Sequence, residues 1–352
     1  GPAAVYRRCG ANRTQELTCK GGCEMTLGKV PLANLRAKGD SLTVGIDVGG
    51  TKVAGAVMDS EGHIIKRVRQ STQKESPDAL IRQIAEVVRC MVPAERLASV
   101  ISIGIGLPGQ VDVEAGTTYS PTNLGWPETS IIRAPLEEVL GRPVHIDNDL
   151  NTAVLAEWLQ GVGMGCHNFC YMTIGTGLAV GMIIDGKLYR GAHSVAGELG
   201  HVVVDPYEEY CSCGIRGCLE SLVSGPNILR RFHREAKQVE TPEQEAPQGS
   251  EDIFALASKG HPIAAKVVRD TARYLAIGIN TLAALLDPEV IAIGGGVSDA
   301  GAPLFEALDC HLLLWESAVV DKNVRVLPAS LGSDAGVVGA LIMAAMRHDK
   351  LE

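Results

Sequence analysis

No run of apolar residues in this chain approaches the eighteen or so that a membrane-crossing helix needs. The longest candidates, 273–286 and 336–346, are broken by Arg, Asn or Gly, so no membrane partner is expected. Positive charge is scarce as well. The 32 Lys and Arg face 41 Asp and Glu, a net charge of −9, which argues against general affinity for nucleic acid or anionic membrane. The first 40 residues lack the apolar stretch of a secretory signal, so the ten cysteines are expected reduced and the location cytoplasmic. In that setting clustered thiols point to metal or catalysis. Walker A spacing and the dinucleotide fingerprint are also missing.

What remains is ample material for a core. The chain has 352 residues, 46% hydrophobic and 21% charged, enough for one large or two ordinary domains and a small-molecule partner. Residues 1–40 stand apart, with seven Lys/Arg, three Asp/Glu, the pair Cys19 and Cys23, and no helical or strand periodicity. They read as an unstructured leader or tag-like segment, with half of a metal site as the lesser alternative. Residues 240–252, rich in Pro, Gln, Gly and acid, read as a surface loop.

From residue 42 onward the pattern becomes regular. The apolar run 42–48 carries Asp47 near its end, Gly49-Gly50-Thr51 follow, and further runs at 53–58 and 64–69 are separated by Asp59-Ser60-Glu61-Gly62. Three strands joined by tight turns fit that pattern. It recurs at 169–174, Gly175-Thr176-Gly177, 178–184, Asp185-Gly186, Leu188 and Tyr189. Such a repeat of pattern predicts two similar lobes whose Gly/Thr-rich turns face one cleft. A helix is expected from Ser76-Pro77 to 92, with Leu80, Ile84, Val87, Val88 and Met91 on one face. Strands at 99–105, 144–146, 290–293 and 323–327 alternate with helices at 152–160, 224–236, 253–258, 263–286, 302–315 and 334–347. The fold class is therefore α/β.

Three glycine-rich strand ends suit a nucleotide. Asp47-Val48-Gly49-Gly50-Thr51-Lys52 brings backbone N–H groups, a hydroxyl and a cation to one turn, which is a phosphate loop by its physics. A plain hairpin turn would explain it equally well were it alone. Gly175-Thr176-Gly177 and the triplet Gly294-Gly295-Gly296 shift the balance, with phosphates at the hairpins and adenosine near the triplet. Asp149 follows Asn148 where a strand hands over to a helix, a common address for functional residues in α/β sheets. It could accept the proton of an attacking hydroxyl, although taken alone it reads more simply as the N-cap of a helix from 150.

Between Glu198 and Glu220 lie His201, Cys211, Cys213 and Cys218, a Cys3His set with zinc spacing. A closed shell of that kind serves structure. Buried thiols or a disulfide would explain the cysteines less well, since three within eight residues with two glycines form a knuckle. A nucleic-acid zinc ribbon fits worse, because one Cys-x-Cys half stands alone in an acidic chain.

Together these motifs resemble the ROK family of repressors and sugar kinases, and within it the bacterial glucokinases. The resemblance runs from about residue 42 to the end. It is carried by Asp47 to Lys52, Leu107-Pro108-Gly109, Asn123-Leu124-Gly125-Trp126, Asn148-Asp149, Gly175-Thr176-Gly177, Glu198-x-Gly-His201, the cysteine segment to Glu220, and Gly294 to Gly296. It implies a two-lobed hexokinase/actin-like (ribonuclease H-like) fold with a zinc knuckle in the larger lobe. The implied division is a small lobe of 41–148 plus 333–350 and a large lobe of 149–332. The implied activity is phosphorylation of glucose, or of N-acetylmannosamine, N-acetylglucosamine, fructose or allose, by ATP with Mg²⁺. Asp149 would be the general base. Gly109, Gln110, Asn123, Asn148, Glu198, His201 and Glu220 would surround the sugar, and His201, Cys211, Cys213 and Cys218 would hold structural Zn²⁺. ATP would lie against Asp47, Gly49, Gly50, Thr51, Lys52, Gly175, Thr176, Gly177 and Gly294 to Gly296. Family habit implies a homodimer or dimer of dimers. The leader is too short and unpatterned for the DNA-binding domain of the family's repressors. One departure stands out: Leu178-Ala179-Val180-Gly181 has Ala and Val where the family has glycine, which implies a narrower approach to phosphate and weaker nucleotide binding.

Overall fold

The computed structural model describes residues 39–119, 124–126, 128–238, 247–314 and 324–348. The chain begins with an antiparallel meander, β1 (Leu42–Val48), β2 (Lys52–Asp59) and β3 (Ile64–Ser71). Helix α1 (Pro77–Met91) follows, its N-cap Ser76 accepting from the Ala79 N–H. Strand β4 (Val100–Leu107) leads to the short strands β5 (Gln110–Asp112), β6 (Thr117–Tyr119) and β7 (Ser130–Ile131), then α2 (Arg133–Leu140), β8 (Val144–Asn148) and α3 (Asp149–Gln160). A second meander is built by β9 (Phe169–Ile174), β10 (Leu178–Ile184) and β11 (Lys187–Tyr189). Then come α4 (Glu220–Val223), α5 (Gly225–Gln238), α6 (Ser250–Ser258), α7 (Pro262–Leu286), β12 (Val290–Gly294), α8 (Ala302–Leu314), β13 (Arg325–Pro328) and α9 (Ala335–His348). None of these helices is long and apolar enough to cross a membrane.

The repeat read from the sequence reappears as topology. One five-stranded sheet has the order β3-β2-β1-β4-β8 and the other β11-β10-β9-β12-β13. In each, an antiparallel meander is extended by two parallel strands. Parallel strands covered on both faces are apolar throughout, as in β4 and β12, where nearly every residue is buried. Each sheet has its own core cluster, one gathering Leu80, Ile84, Ile103 and Ile105, the other Met172, Val180, Leu275 and Ile293. Strands β5, β6 and β7 form a third small sheet. Those short strands and α2 gave no periodicity long enough to read. The start of α6 takes in residues 250–252, assigned to a loop above; residues 240–246 of that loop, and residues 1–38, lie outside the described set.

Helix α3 belongs to both halves. A Cβ on Gly106 of β4 would stand 2.8 Å from Thr152 Oγ1, and one on Gly181 of β10 would stand 2.8 Å from Val154 Cβ. The first residue of that helix, Asp149, therefore lies between the sheets. Helix α9 returns to cover the first sheet, where a Cβ on Gly45 would meet Leu341 Cγ at 2.6 Å, and one on Gly104 would overlap the Ala340 carbonyl oxygen. Neither partner can retreat, because one is helix backbone and the other sheet. Gly104→Ala is expected to cost more than the ~1–3 kcal/mol of ordinary overpacking, read as a lowered urea midpoint at unchanged slope.

Candidate active site

Asp47 leaves the end of β1 and Asp149 opens α3, and both line one cleft of ≈ 370 Å³ with Lys52 and Gly294 to Gly296. The cap question at Asp149 is settled by its neighbour. Asn148 is the N-cap, its side chain accepting from the Leu150 N–H at 2.9 Å, so the Asp149 carboxylate is not consumed in starting the helix. One of its oxygens also accepts from the Leu150 N–H, at 2.8 Å. Burial first, then the charge of Asp47, push the Asp149 carboxyl up to about 7, against the N–H bonds that favour its anion. Burial likewise raises Asp47 to about 6, opposed by Lys52 and Arg69. A Cβ on Gly336 would sit 2.5 Å from the Asp47 carboxylate carbon, which places that acid against the first turn of α9, where the helix dipole favours negative charge. Two carboxyls that titrate near neutrality in one cleft are suited to proton transfer and to cation binding.

The glycine-rich strand ends are arranged unequally. Gly295 has φ +85°, and its Cβ would meet backbone atoms of Ile174 at 2.5–2.8 Å, so the triplet needs glycine there. Gly49, Gly50 and Thr51 close the β1–β2 turn, with Gly49 N–H on the Lys52 carbonyl at 2.8 Å and Lys74 Nζ on the Gly50 carbonyl at 3.0 Å. Of Gly49 to Lys52 only Lys52 reaches the wall of this cavity, and the turn Gly175-Thr176-Gly177 does not. It is held by the Gly225 N–H on the Gly175 carbonyl at 2.8 Å and by Glu220, whose carboxylate accepts from the Leu178 N–H at 3.0 Å. Val180 is 0% exposed and packed in the core of the second half, so its extra methyls point away from the cleft. Ala179 pairs with Thr173, which does line the cleft. The narrowing expected from two added side chains is thus reduced to one methyl.

On the other side of Asp149, Asn148 Nδ2 donates to the Gly109 carbonyl at 2.7 Å, with Gly109 at φ +86°. Gln110 Nε2 donates to the His193 carbonyl at 2.6 Å. Glu198 Oε2 lies 3.8 Å from His201 Nε2. Asn123 lies outside the described residues, while its neighbours Leu124 and Trp126 are buried. Asp147, one residue before Asn148, and Arg190 were not among the expected site residues. They form an ion pair in which Asp147 is buried and Arg190 part-exposed. Asp147 was visible as the first acid of Asp147-Asn148-Asp149, whereas nothing in the sequence marked Arg190.

His201, Cys211, Cys213 and Cys218 gather their ligand atoms within 4.8 Å of one another. His201 Nδ1 is 3.6 Å from Cys211 Sγ, and Cys213 Sγ is 3.7 Å from Cys218 Sγ. A tetrahedral zinc ion, with Zn–S near 2.3 Å and Zn–N near 2.0 Å, spaces its ligand atoms about 3.6–3.8 Å apart, so the donor set fits. None of the three is joined in a disulfide, and Cys211 and Cys218 are buried while Cys213 is exposed, so packing of small hydrophobes would account for two of the three at most.

A model of the ROK family matches residues 43–347. Over 323 residues the chain is 33% identical to a glucokinase of Halalkalibacterium halodurans, an alignment covering 89% of this chain and 98% of that protein. It is 27% identical over 316 residues to a xylose repressor of Bacillus spizizenii, covering 89% and 79% respectively. A solved ROK family glucokinase from Streptomyces griseus, in complex with glucose and AMPPNP, matches with a TM-score of 0.69 and 32% identity, over 87% of this chain and 100% of that one.

Proposed function

The chain belongs to the ROK family, and on that footing we propose that it is a glucokinase, transferring the γ-phosphoryl group of ATP to the 6-hydroxyl of glucose. The observation that carries this reading is Asp149, a carboxyl raised to about 7 where β8 meets α3, in a cleft that also holds Lys52 and the glycine triplet. Phosphoryl transfer asks little covalent chemistry of a protein beyond positioning and charge. Asp149 takes the proton of the attacking hydroxyl. Lys52 and the backbone N–H groups of Gly50 and Thr51 face the phosphates, with Gly294 to Gly296 on the adenosine side and Gly175 to Gly177 closing from the second half. Asp47 is the carboxylate suited to Mg²⁺, which binds through one or two carboxylates plus phosphate oxygens and offsets their charge. Gly109, Gln110, Asn123, Asn148, Glu198, His201 and Glu220 surround the sugar. Zinc on His201 Nδ1 and the three thiols would supply a fixed shape, leaving His201 Nε2 for the sugar side. Residues 41–148 with 333–350 make the small lobe and 149–332 the large one, in a protein of the cytoplasm that associates as a homodimer or dimer of dimers.

The test is a panel of hexoses, N-acetylated sugars included, assayed by ADP release. Glucose is expected to give the highest kcat/KM, and silence with every sugar would sink the reading. It also separates a regulator of the xylose repressor kind, which would bind sugar without releasing ADP. Because the base must be ionised, kcat/KM is expected to fall as pH drops through about 7, an apparent value that belongs to the Asp47–Asp149 pair. Asp47→Asn removes the anion that helps hold Asp149 protonated. The acid limb should then move to lower pH even as turnover falls, and an unmoved limb would contradict the coupling.

A further inference from the structure

Asp147 is 1% exposed and uses both carboxylate oxygens fully. Oδ1 accepts from the Asn148 N–H at 2.8 Å and from Asn151 Nδ2 at 2.7 Å. Oδ2 accepts from Arg190 Nε at 3.0 Å and from Nη2 of the same guanidinium. Burying such a pair gains little net stability over an apolar replacement. Two guanidinium N–H groups converging on one carboxylate oxygen still restrain direction as well as distance, and the groups they restrain are chain neighbours of proposed site residues.

Asp147 immediately precedes Asn148, which caps α3 and holds the Gly109 carbonyl, and it sits two residues before Asp149. Its bond to Asn151 reaches one turn into the same helix. Arg190 comes from the other half of the molecule, directly after β11, and begins a short segment that ends at Glu198. That segment is tied at three further points. The Ala196 N–H returns to the Arg190 carbonyl at 3.2 Å, the His193 carbonyl accepts from Gln110 at 2.6 Å, and the Gly197 carbonyl accepts from the Val180 N–H at 2.9 Å. The ion pair is thus a strut from the strand end that presents Asp149 to the segment that presents Glu198.

We infer that Arg190 and Asp147 are positioning residues for the transfer step, holding the proton acceptor and the sugar-side segment in one fixed relation while touching no reacting atom. The inference rests on the kinase reading. A displacement of about 1 Å between reacting groups lowers turnover on the order of 100-fold, so the pair's contribution should be seen in kcat.

Three variants test it. The double variant Asp147→Asn with Arg190→Met removes both charges, so no lone buried ion remains to unfold the protein; it is expected to melt close to the parent while kcat falls about 10- to 100-fold and the KM for ATP changes far less. Arg190→Lys keeps the charge but not the fork and should recover only part of the loss. Arg190 is 27% exposed at its side chain, so millimolar guanidinium should restore turnover to Arg190→Ala where equal potassium does not. Parental kcat in the folded double variant, or guanidinium that leaves Arg190→Ala unchanged, would overturn the inference. A parent protein that released no ADP with any sugar would instead overturn the kinase reading itself.

Discussion

Asp149→Asn is expected to lower turnover by about 10²–10⁴-fold, the range supplied by a positioned general base, while glucose affinity stays within a few-fold of the parent. The amide is isosteric and keeps the oxygen that accepts from the Leu150 N–H, and the helix cap belongs to Asn148, so the variant should fold. It should in fact be more stable at alkaline pH. A carboxyl whose folded value lies near 7, against an ordinary 3.8, favours the folded state in its protonated form. Its stability contribution is whole below about 4 and is lost as pH rises through 7. Above that range the parent carries a penalty of up to about 4 kcal/mol, shared with Asp47, that the amide lacks. Melting temperatures at pH 5 and pH 8 read this directly, with the variant's advantage growing at the higher pH. Turnover equal to the parent's would remove Asp149 as the base. Equal stability at both pH values would mean that its carboxyl is not raised.

The same residues show what could be read from sequence and what could not. Tight turns declare themselves through glycine and threonine between apolar runs, so both meanders and their repeat were legible before any coordinates. Asp149 was legible because a strand end and a helix start converge on it. Its raised carboxyl was not, since that depends on burial between two sheets and on Asp47, 102 positions away in the chain. Arg190 follows an ordinary strand and has no local signature; only tertiary packing brings it to Asp147. The departure at Ala179 and Val180 was visible, but its consequence turned on strand alternation. Side chains at successive positions face opposite ways, and the register puts Val180 into the core and Ala179 beside Thr173. The small sheet β5-β6-β7 escaped because two or three residues carry no period.

Cys213→Ser, or removal of metal by a chelator, is expected to weaken sugar binding by about 10- to 100-fold, the usual effect of disturbing groups that orient a site through a metal. The purified protein should carry about one equivalent of zinc. The reason lies in what the four ligands join. His201 stands three residues after Glu198, and Cys218 two before Glu220. Glu220 Oε1 lies 3.8 Å from Cys211 Sγ, while its other oxygen holds the Leu178 N–H. A metal across these ligands would therefore fix both acids proposed for the sugar wall and, through Glu220, the turn Gly175 to Gly177. The base of the segment has separate anchors. Arg234 pairs with Glu209 at 2.8 Å and with Glu208 at 3.2 Å, and Tyr274 OH donates to Asp205 at 3.1 Å. The chain at 205–209 should accordingly stay docked on α5 and α7 when the metal leaves, so that loss is confined to the tip at 210–217 and the acids beside it. Melting should then shift by several degrees without collapse of the fold, unlike the small zinc modules that unfold outright. Sugar affinity should fall further than affinity for ATP, whose proposed contacts at Asp47, Lys52 and the glycine triplet include none of the four ligands. Titration calorimetry with glucose and with a non-hydrolysable ATP analogue, on metal-loaded and metal-free protein, separates the two. Full sugar affinity without metal would show that the acids are held by the protein alone.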